Sequence, residues 1–327
     1  MNSPRKRPGL LFTLVGPAGA GKNSLMKDVL KRTPLRQIPT ATTRAIRPGE
    51  QEGREHLYVS RDEFQRMIDA DALLEHQVIH GNLYGIPRRA VESALDSGDA
   101  LIADIEVYGA ARAREVYPEN VISIFIQPPS IGSLIERMRE RRESEAEIGK
   151  RLLRVPMELD YARDCSYIVL NDSLDDATEL LHKIVVAELN GTSSAIYGDR
   201  LILYRFQYAA RIIPMYRDEA LRRTSAPNDL VTPFDETEMP HQAALRCLHE
   251  ALGIDVGASA LASSEGRDGD YLPPVTLEYW RDERDEYVTY VYVYCLDERI
   301  DAPAGWEWTP AALLPQNVRK PEFECAT

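Results

Sequence analysis

Seven residues near the start of the chain, Gly16-Pro17-Ala18-Gly19-Ala20-Gly21-Lys22, limit most strongly what it can fold into. They match the GxxxxGK pattern of a Walker A loop. They also lie where such a loop works, between a continuous apolar run, Leu10 to Val15, and a stretch of helical spacing over 24–32. An apolar run of this kind reads as a strand buried on both faces of a parallel sheet. Glycines let the turn wrap tightly, so that successive backbone N–H groups and the start of the next helix point at phosphate oxygens. Lys22 adds a point charge near the β and γ phosphates, which makes ATP the expected ligand. Where such loops carry a Ser or Thr that holds magnesium, this chain has Asn23, followed by Ser24. An amide oxygen is a hard donor too, so Asn23 and Ser24 are expected beside Mg2+.

The strand and helix signals continue: helices over 61–71 and 87–97, a strand over 100–105, a helix over 109–115, a strand over 121–126, helices over 130–141 and 145–163, a strand over 167–170 and a helix over 174–189. Alternation of this kind predicts an α/β domain of the P-loop NTPase type, a parallel sheet with helices on both faces. The small polar stretch Asn190-Gly191-Thr192-Ser193-Ser194 reads as a linker, which divides the 327 residues into domains at 8–190 and 195–327. In the second domain, segments 200–206, 274–280 and 287–296 are strand-like and 240–252 is one amphipathic helix, so an α+β domain is expected there.

A net charge of -13 argues against a general nucleic-acid binder and leaves room for a small anionic ligand, held by the local cluster Arg44, Arg47, Arg137, Arg141 and Arg151. No apolar run reaches the roughly 18 residues of a membrane span, and the basic N-terminal tail lacks the features of a signal peptide. The four cysteines are scattered. A soluble, cytoplasmic protein is the expectation, with its oligomeric state left open.

The stretch Thr42-Thr43-Arg44-Ala45-Ile46-Arg47-Pro48-Gly49-Glu50 is followed by Gly53, Val59-Ser60-Arg61-Asp62-Glu63-Phe64, Glu75, His80-Gly81-Asn82-Leu83-Tyr84-Gly85 and Asp104-Ile105-Glu106-Val107-Tyr108-Gly109. In order, spacing and residue type this resembles the guanylate kinases, over about residues 8 to 190. The resemblance implies an ATP- and Mg2+-dependent kinase that passes the γ-phosphoryl group to a small phosphorylated acceptor, a nucleoside monophosphate such as GMP or a modified purine nucleotide. Arg44 and Arg47, three apart beside a turn, have the planar guanidinium groups to converge on the acceptor phosphate, and Tyr84 has a hydroxyl to add. Asp104 closes an apolar strand at the carboxyl end of the sheet, and the resemblance implies that it holds the magnesium shell, partly through water. Arg137, Arg141 and Arg151 match the family's lid arginines, with one residue fewer between Arg141 and Arg151, and would put positive charge on the transferred phosphoryl oxygens. Asn171 matches a residue near the adenine of ATP.

Guanine recognition in the family uses a Glu with two hydroxyl residues. Glu75 and Thr40 supply two of these groups, while Ile86 replaces the third, and His56 replaces a phosphate-binding Tyr. His56, Ile86 and Asn23 are each similar to residues of the ribose 1,5-bisphosphate kinases, which form phosphoribosyl pyrophosphate, although that group generally lacks counterparts of Glu75 and Asp104. Two further readings therefore stand beside the nucleotide kinase: a sugar-bisphosphate kinase, and a binding scaffold without catalysis. In the second domain, residues 232–254 resemble a Nudix box, with Glu238, Arg246, Leu248, Glu250, Gly253 and Ile254 in register. Cys247 and Ala251 occupy two of its three metal-binding glutamate positions and Thr232 its leading Gly, so no hydrolysis is expected from it.

Overall fold

The computed structural model describes residues 9–46, 49–54, 56–79, 81–193, 198–199, 205–224, 230–262, 268–282 and 285–314. The chain divides into two compact units. One combines Met1–Pro129 with Pro156–Ile202, and the other combines Ser130–Val155 with Leu203–Thr327. Chain order and packing thus part company at 130–155, a segment inside the first stretch of sequence that belongs with the second unit.

The chain runs through β1 (Leu10–Val15), α1 (Lys22–Arg32), β2 (Arg36–Gln37), β3 (Thr40–Thr42), β4 (His56–Tyr58), α2 (Arg61–Asp69), β5 (Leu73–Ile79), β6 (Asn82–Pro87), α3 (Arg88–Ser97), β7 (Ala100–Asp104), α4 (Val107–Val116) and β8 (Val121–Gln127). Next come α5 (Ile131–Glu140) and α6 (Glu145–Leu152) of the second unit, then α7 (Val155–Tyr161), β9 (Tyr167–Leu170) and α8 (Leu174–Asn190). A parallel sheet in the order β2-β7-β1-β8-β9 forms the core of the first unit. Its central strand β1 keeps Leu11, Phe12, Leu14 and Val15 wholly buried, as an apolar run between two layers requires. The one polar residue in that run, Thr13, is satisfied by Ser123 on β8 at 3.0 Å.

A second sheet, in the order β4-β3-β6-β5, stands apart from the first. The sequence pattern does not announce it: β3 and β4 have three residues each, and β5 carries Glu75 and His76 at a break in its register with β6. The expected helix over 145–163 is in fact two, α6 and α7, followed by a turn of 3₁₀ helix at Ala162–Asp164. Pro156 accounts for the break: it has no N–H to give to the Leu152 carbonyl, as a continuous helix would require, and it is tolerated in the first turn of α7, where that N–H would have no helical partner.

In the second unit β10 (Arg205–Tyr216), β11 (Glu219–Arg223), β12 (Leu230–Phe234), α9 (Pro240–Leu252), β13 (Leu261–Ala262), β14 (Thr276–Arg281), β15 (Asp285–Cys295) and β16 (Trp306–Pro310) follow. The mixed sheet runs β13-β15-β10-β11-β16, with β12 on β10 and β14 on β15. This is an α+β unit whose long parallel pair, β10 with β15, buries Ile213, Val291, Val293, Tyr290 and Tyr292. Of the strand expected over 200–206, residues 200–204 lie outside the described residues, and β10 continues ten residues further than expected, to Tyr216. Cys165 and Cys247 are free, whereas Cys295 is disulfide-bonded, which the scattered spacing of the cysteines did not suggest.

Candidate active site

The Gly-rich turn leaves β1 and enters α1 at the carboxyl end of the parallel sheet. Gly21 holds a φ of 97°, and a Cβ there would stand 2.2 Å from the Asn171 side-chain nitrogen, so both the backbone and the space demand glycine. Gly16, at a φ of 140°, is as constrained, because a Cβ would come within 2.4 Å of the Ile126 carbonyl oxygen. Asn171 is buried, and its Nδ2 donates to the Ala20 carbonyl at 2.6 Å. It therefore braces the loop from behind, a role that sequence matching alone does not supply. Helix α1 begins with no side-chain cap and no acid in its first turn, which keeps its positive end unneutralised.

Lys22 reaches back over this turn. Its Nζ donates to Gly16 O at 2.5 Å and Pro17 O at 3.2 Å and lies 3.8 Å from Asp104 Oδ1. Asp104 ends β7, paired in register with Leu14 of β1, and this pairing sets its carboxylate beside the loop. Burial raises the Asp104 carboxyl above the usual range, Lys22 pulls it back and Glu106 adds to the rise. Asn23 and Ser24 are exposed on the first turn of α1. Amide, hydroxyl and carboxylate oxygens are the donors that magnesium takes, so Asn23, Ser24 and Asp104 suit that ion.

The second sheet carries the other group of residues. Arg44, just past β3, donates from Nε to the Tyr84 hydroxyl at 3.1 Å and grips the Glu50 carboxylate with both terminal nitrogens, at 3.1 and 2.8 Å. The Tyr58 hydroxyl donates to the same carboxylate at 2.6 Å. Hydrogen bonding to Glu50 holds the Arg44 guanidinium still further from losing its proton. A planar fork that receives a carboxylate in two parallel bonds can receive a phosphate in the same way. Thr40 Oγ1 meets His56 Nδ1 at 2.7 Å across the β3–β4 pair, and the His56 ring lies edge-on to Tyr84. Arg47 lies outside the described residues.

Glu75, on β5, is pressed against α4, where a Cβ at Gly109 would come within 2.8 Å of its carboxyl carbon. Burial, with help from Glu106, pushes its carboxyl up to about 7. Ile86 is wholly buried in the apolar cluster with Leu74, Ile38 and Ile105. Within the first unit the structure therefore gathers two groups, Lys22 with Asp104 at the loop and Arg44 with Tyr84, Thr40 and His56 on the small sheet. Arg137, Arg141 and Arg151 belong to the second unit: Arg137 lies on α5, Arg141 is its C-terminal cap, and Arg151 on α6 pairs with Glu143 at 3.0 Å.

Also in the second unit, Arg246 of α9 clasps Glu238 through two bonds, at 3.1 and 2.8 Å, and reaches Thr232 Oγ1 at 3.2 Å and the Pro233 carbonyl at 3.3 Å. Glu250 stands 3.7 Å from the same arginine. Among the described residues no three His, Cys, Asp or Glu side chains gather closely enough to hold a metal ion.

The guanylate kinase family model matches residues 9–188, more than half of the chain. The chain belongs to the guanylate kinase family. Guanylate kinase of Desulfitobacterium hafniense (strain Y51) is 42% identical over 182 residues, which cover 55% of this chain and 90% of that protein. Guanylate kinase of Bordetella pertussis is 40% identical over 196 residues, 59% of this chain and 91% of that protein. Among solved structures, guanylate kinase from Anaplasma phagocytophilum aligns over 56% of this chain and 88% of that one, at 30% identity and a TM-score of 0.46. A NUDIX family hydrolase from Clostridium perfringens aligns over 32% of this chain and 80% of that one, at 13% identity and a TM-score of 0.24. Neither structural likeness is close enough to carry an argument.

Within this guanylate kinase family chain, three further residues stand at the site without having been assigned a part. Glu50 holds Arg44, Tyr58 steadies Glu50, and Glu106 raises both Glu75 and Asp104. The first could have been found as an acid six residues past Arg44 in the same turn. Glu106 follows Asp104 by two at the end of a strand, a spacing that crowds two carboxylates. Tyr58 leaves no sequence signal beyond being an aromatic residue in a short strand.

Proposed function

We propose that the chain transfers the γ-phosphoryl group of ATP to GMP or a closely related purine monophosphate. The carrying observation is that one unit holds both a glycine-rich phosphate turn with Lys22 and Asp104 and a separate fork, Arg44 with Tyr84, shaped for a second phosphate. Membership of the guanylate kinase family supports the same acceptor. In this reading, Arg44, Tyr84 and Arg47 bind the acceptor phosphate, Glu75 accepts from the N–H edge of the base, and Thr40 and His56 complete the pocket. Lys22, Arg137, Arg141 and Arg151 supply positive charge to the phosphoryl oxygens as it moves. Asn23, Ser24 and Asp104 would hold a magnesium ion, which would supply charge neutralisation to the triphosphate. Along the sequence, residues 8–190 form the kinase domain and 195–327 a Nudix-like domain without hydrolysis, and the protein works in the cytoplasm.

Two observations support that view of the second domain: Glu250 is the one acid of the three helix positions, beside Cys247 and Ala251, and among the described residues no three His, Cys, Asp or Glu side chains gather there. The deciding experiment is an acceptor panel with labelled ATP. Phosphorylation of GMP, with ribose 1,5-bisphosphate inert, is the expected result. Transfer to the sugar bisphosphate with GMP inert would replace this reading, and no transfer to any acceptor would leave the chain a binding scaffold.

A further inference from the structure

Helices α5 and α6 come early in the sequence, yet the groups that hold them lie beyond residue 205. The backbone N–H of Ile131, at the start of α5, donates to the Glu286 carboxylate at 2.6 Å, and Glu286 is only 4% exposed. One residue on, a Cβ at Gly132 would come within 2.4 Å of the Tyr279 ring. Arg139 and Glu145 pair with each other at 2.8 Å and together take both backbone groups of Leu277: Arg139 donates to its carbonyl at 3.1 Å, and Glu145 accepts from its N–H at 3.0 Å. They thereby satisfy backbone groups along the edge of β14, where a further strand would otherwise bond.

Three tyrosine hydroxyls complete the attachment. Tyr271 donates to the Ala146 carbonyl at 3.2 Å, Tyr290 to Gly149 at 2.8 Å, and Tyr208 to Leu152. The three acceptors are spaced by three residues and so share one face of α6. Gly149 has no room for a side chain, since a Cβ would lie 2.4 Å from the Tyr271 hydroxyl and 3.1 Å from the Tyr290 ring. Arg151 follows Gly149 by two residues, and Arg137 and Arg141 lie on the α5 turns that lead to the Arg139–Glu145 clamp.

We propose that the C-terminal domain is the scaffold of the arginine segment, with Tyr208, Tyr271 and Tyr290 acting as positioning residues for Arg137, Arg141 and Arg151. The proposal rests on the kinase reading for the part those arginines play. Because 130–155 and 203–327 form one unit, any rearrangement of the segment carries the domain with it, and anything the domain binds bears on the arginines.

The test is the full chain carrying Tyr271→Phe and Tyr290→Phe, which keeps both rings and removes both hydroxyls. Transfer should lose roughly tenfold in kcat while KM for GMP stays within about twofold, because Arg44, Tyr84 and Glu75 belong to the other unit. Hydrogen exchange of the amides over 145–152 should quicken, with those of α1 unchanged. Gly149→Ala wedges the same contact and should lower kcat further; if that chain does not fold, the Phe pair still decides. Faster exchange with wild-type kcat, an equal worsening of kcat and KM, or unchanged exchange would each overturn the proposal. A wild-type chain that phosphorylates no acceptor would refute the kinase reading by itself, and the exchange measurement would still decide whether the domain holds the segment.

Discussion

The phosphate turn of the first unit and helix α9 of the second each match a phosphate-chemistry motif in the sequence, and they differ in how many groups arrive together. At the turn, Lys22, Asp104, the uncapped start of α1 and the oxygens of Asn23 and Ser24 come from two strand ends and one helix. At α9, Arg246 has been drawn onto Glu238, Thr232 and Pro233, while Cys247 is a buried apolar neighbour whose thiol burial pushes up. Motif residues survive in both places. Chemistry requires several groups to converge on one ligand; at the turn a cation, a carboxylate and backbone N–H groups do so, whereas at α9 the arginine is engaged by its own neighbours.

The largest expected break in that contrast is Lys22→Ala, which should reduce transfer on the order of a thousandfold and lower the melting temperature by only a few degrees, since the fold loses two loop hydrogen bonds and the charge beside Asp104 but no apolar packing. Steady-state rates and a thermal melt check it; near-normal turnover would remove the turn from the mechanism. Next, Arg44→Ala should raise KM for GMP by roughly ten- to a hundredfold, the loss of hydrogen bonds to a charged partner, as read from initial rates against acceptor concentration.

Glu75 offers a pH test. Its carboxyl, at about 7, is ionised above that value and protonated below it, and only the ionised form accepts from two N–H groups of a base. KM for GMP should therefore rise as pH falls from 8 to 6, by up to about tenfold, and Glu75→Gln should flatten the profile. A profile that persists in Glu75→Gln would assign the titration elsewhere.

On the α9 side the effects shrink. Arg246→Ala should cost about 1 kcal/mol of stability, a few degrees in the melt, without touching phosphoryl transfer, because the pair is partly exposed. Finally, the chain silenced by Lys22→Ala should hydrolyse no nucleoside diphosphate derivative in magnesium. Adding Cys247→Glu with Ala251→Glu is the least change that could create such hydrolysis, so robust release of product before those changes would show that another carboxylate holds the metal.

The phosphate turn, the parallel sheet and the acid at the end of β7 were legible because each is written locally: an apolar run, a glycine spacing, a charge closing a strand. Helix 240–252 was legible for the same reason and appears as α9 at Pro240–Leu252. The β3–β6 sheet was not, since three-residue strands carry too little alternation to register. Nor was the pairing of Thr40 with His56, or Asn171 behind the loop, because such contacts follow from folding and not from neighbouring letters. The most distant case is Ile131 with Glu286, separated by 155 positions, which no local pattern encodes.

That separation has a consequence for the order in which the molecule is made. On a ribosome adding roughly 5 to 20 residues per second, Glu286 emerges on the order of ten to thirty seconds after Ile131. Through that interval the strands around β1 can pair while the stretch from 130 to 155 waits for tyrosines and an acid not yet translated. A nascent chain interrupted in that interval therefore carries the phosphate turn together with a stretch 130–155 that lacks the Glu286, Leu277 and tyrosine contacts described above.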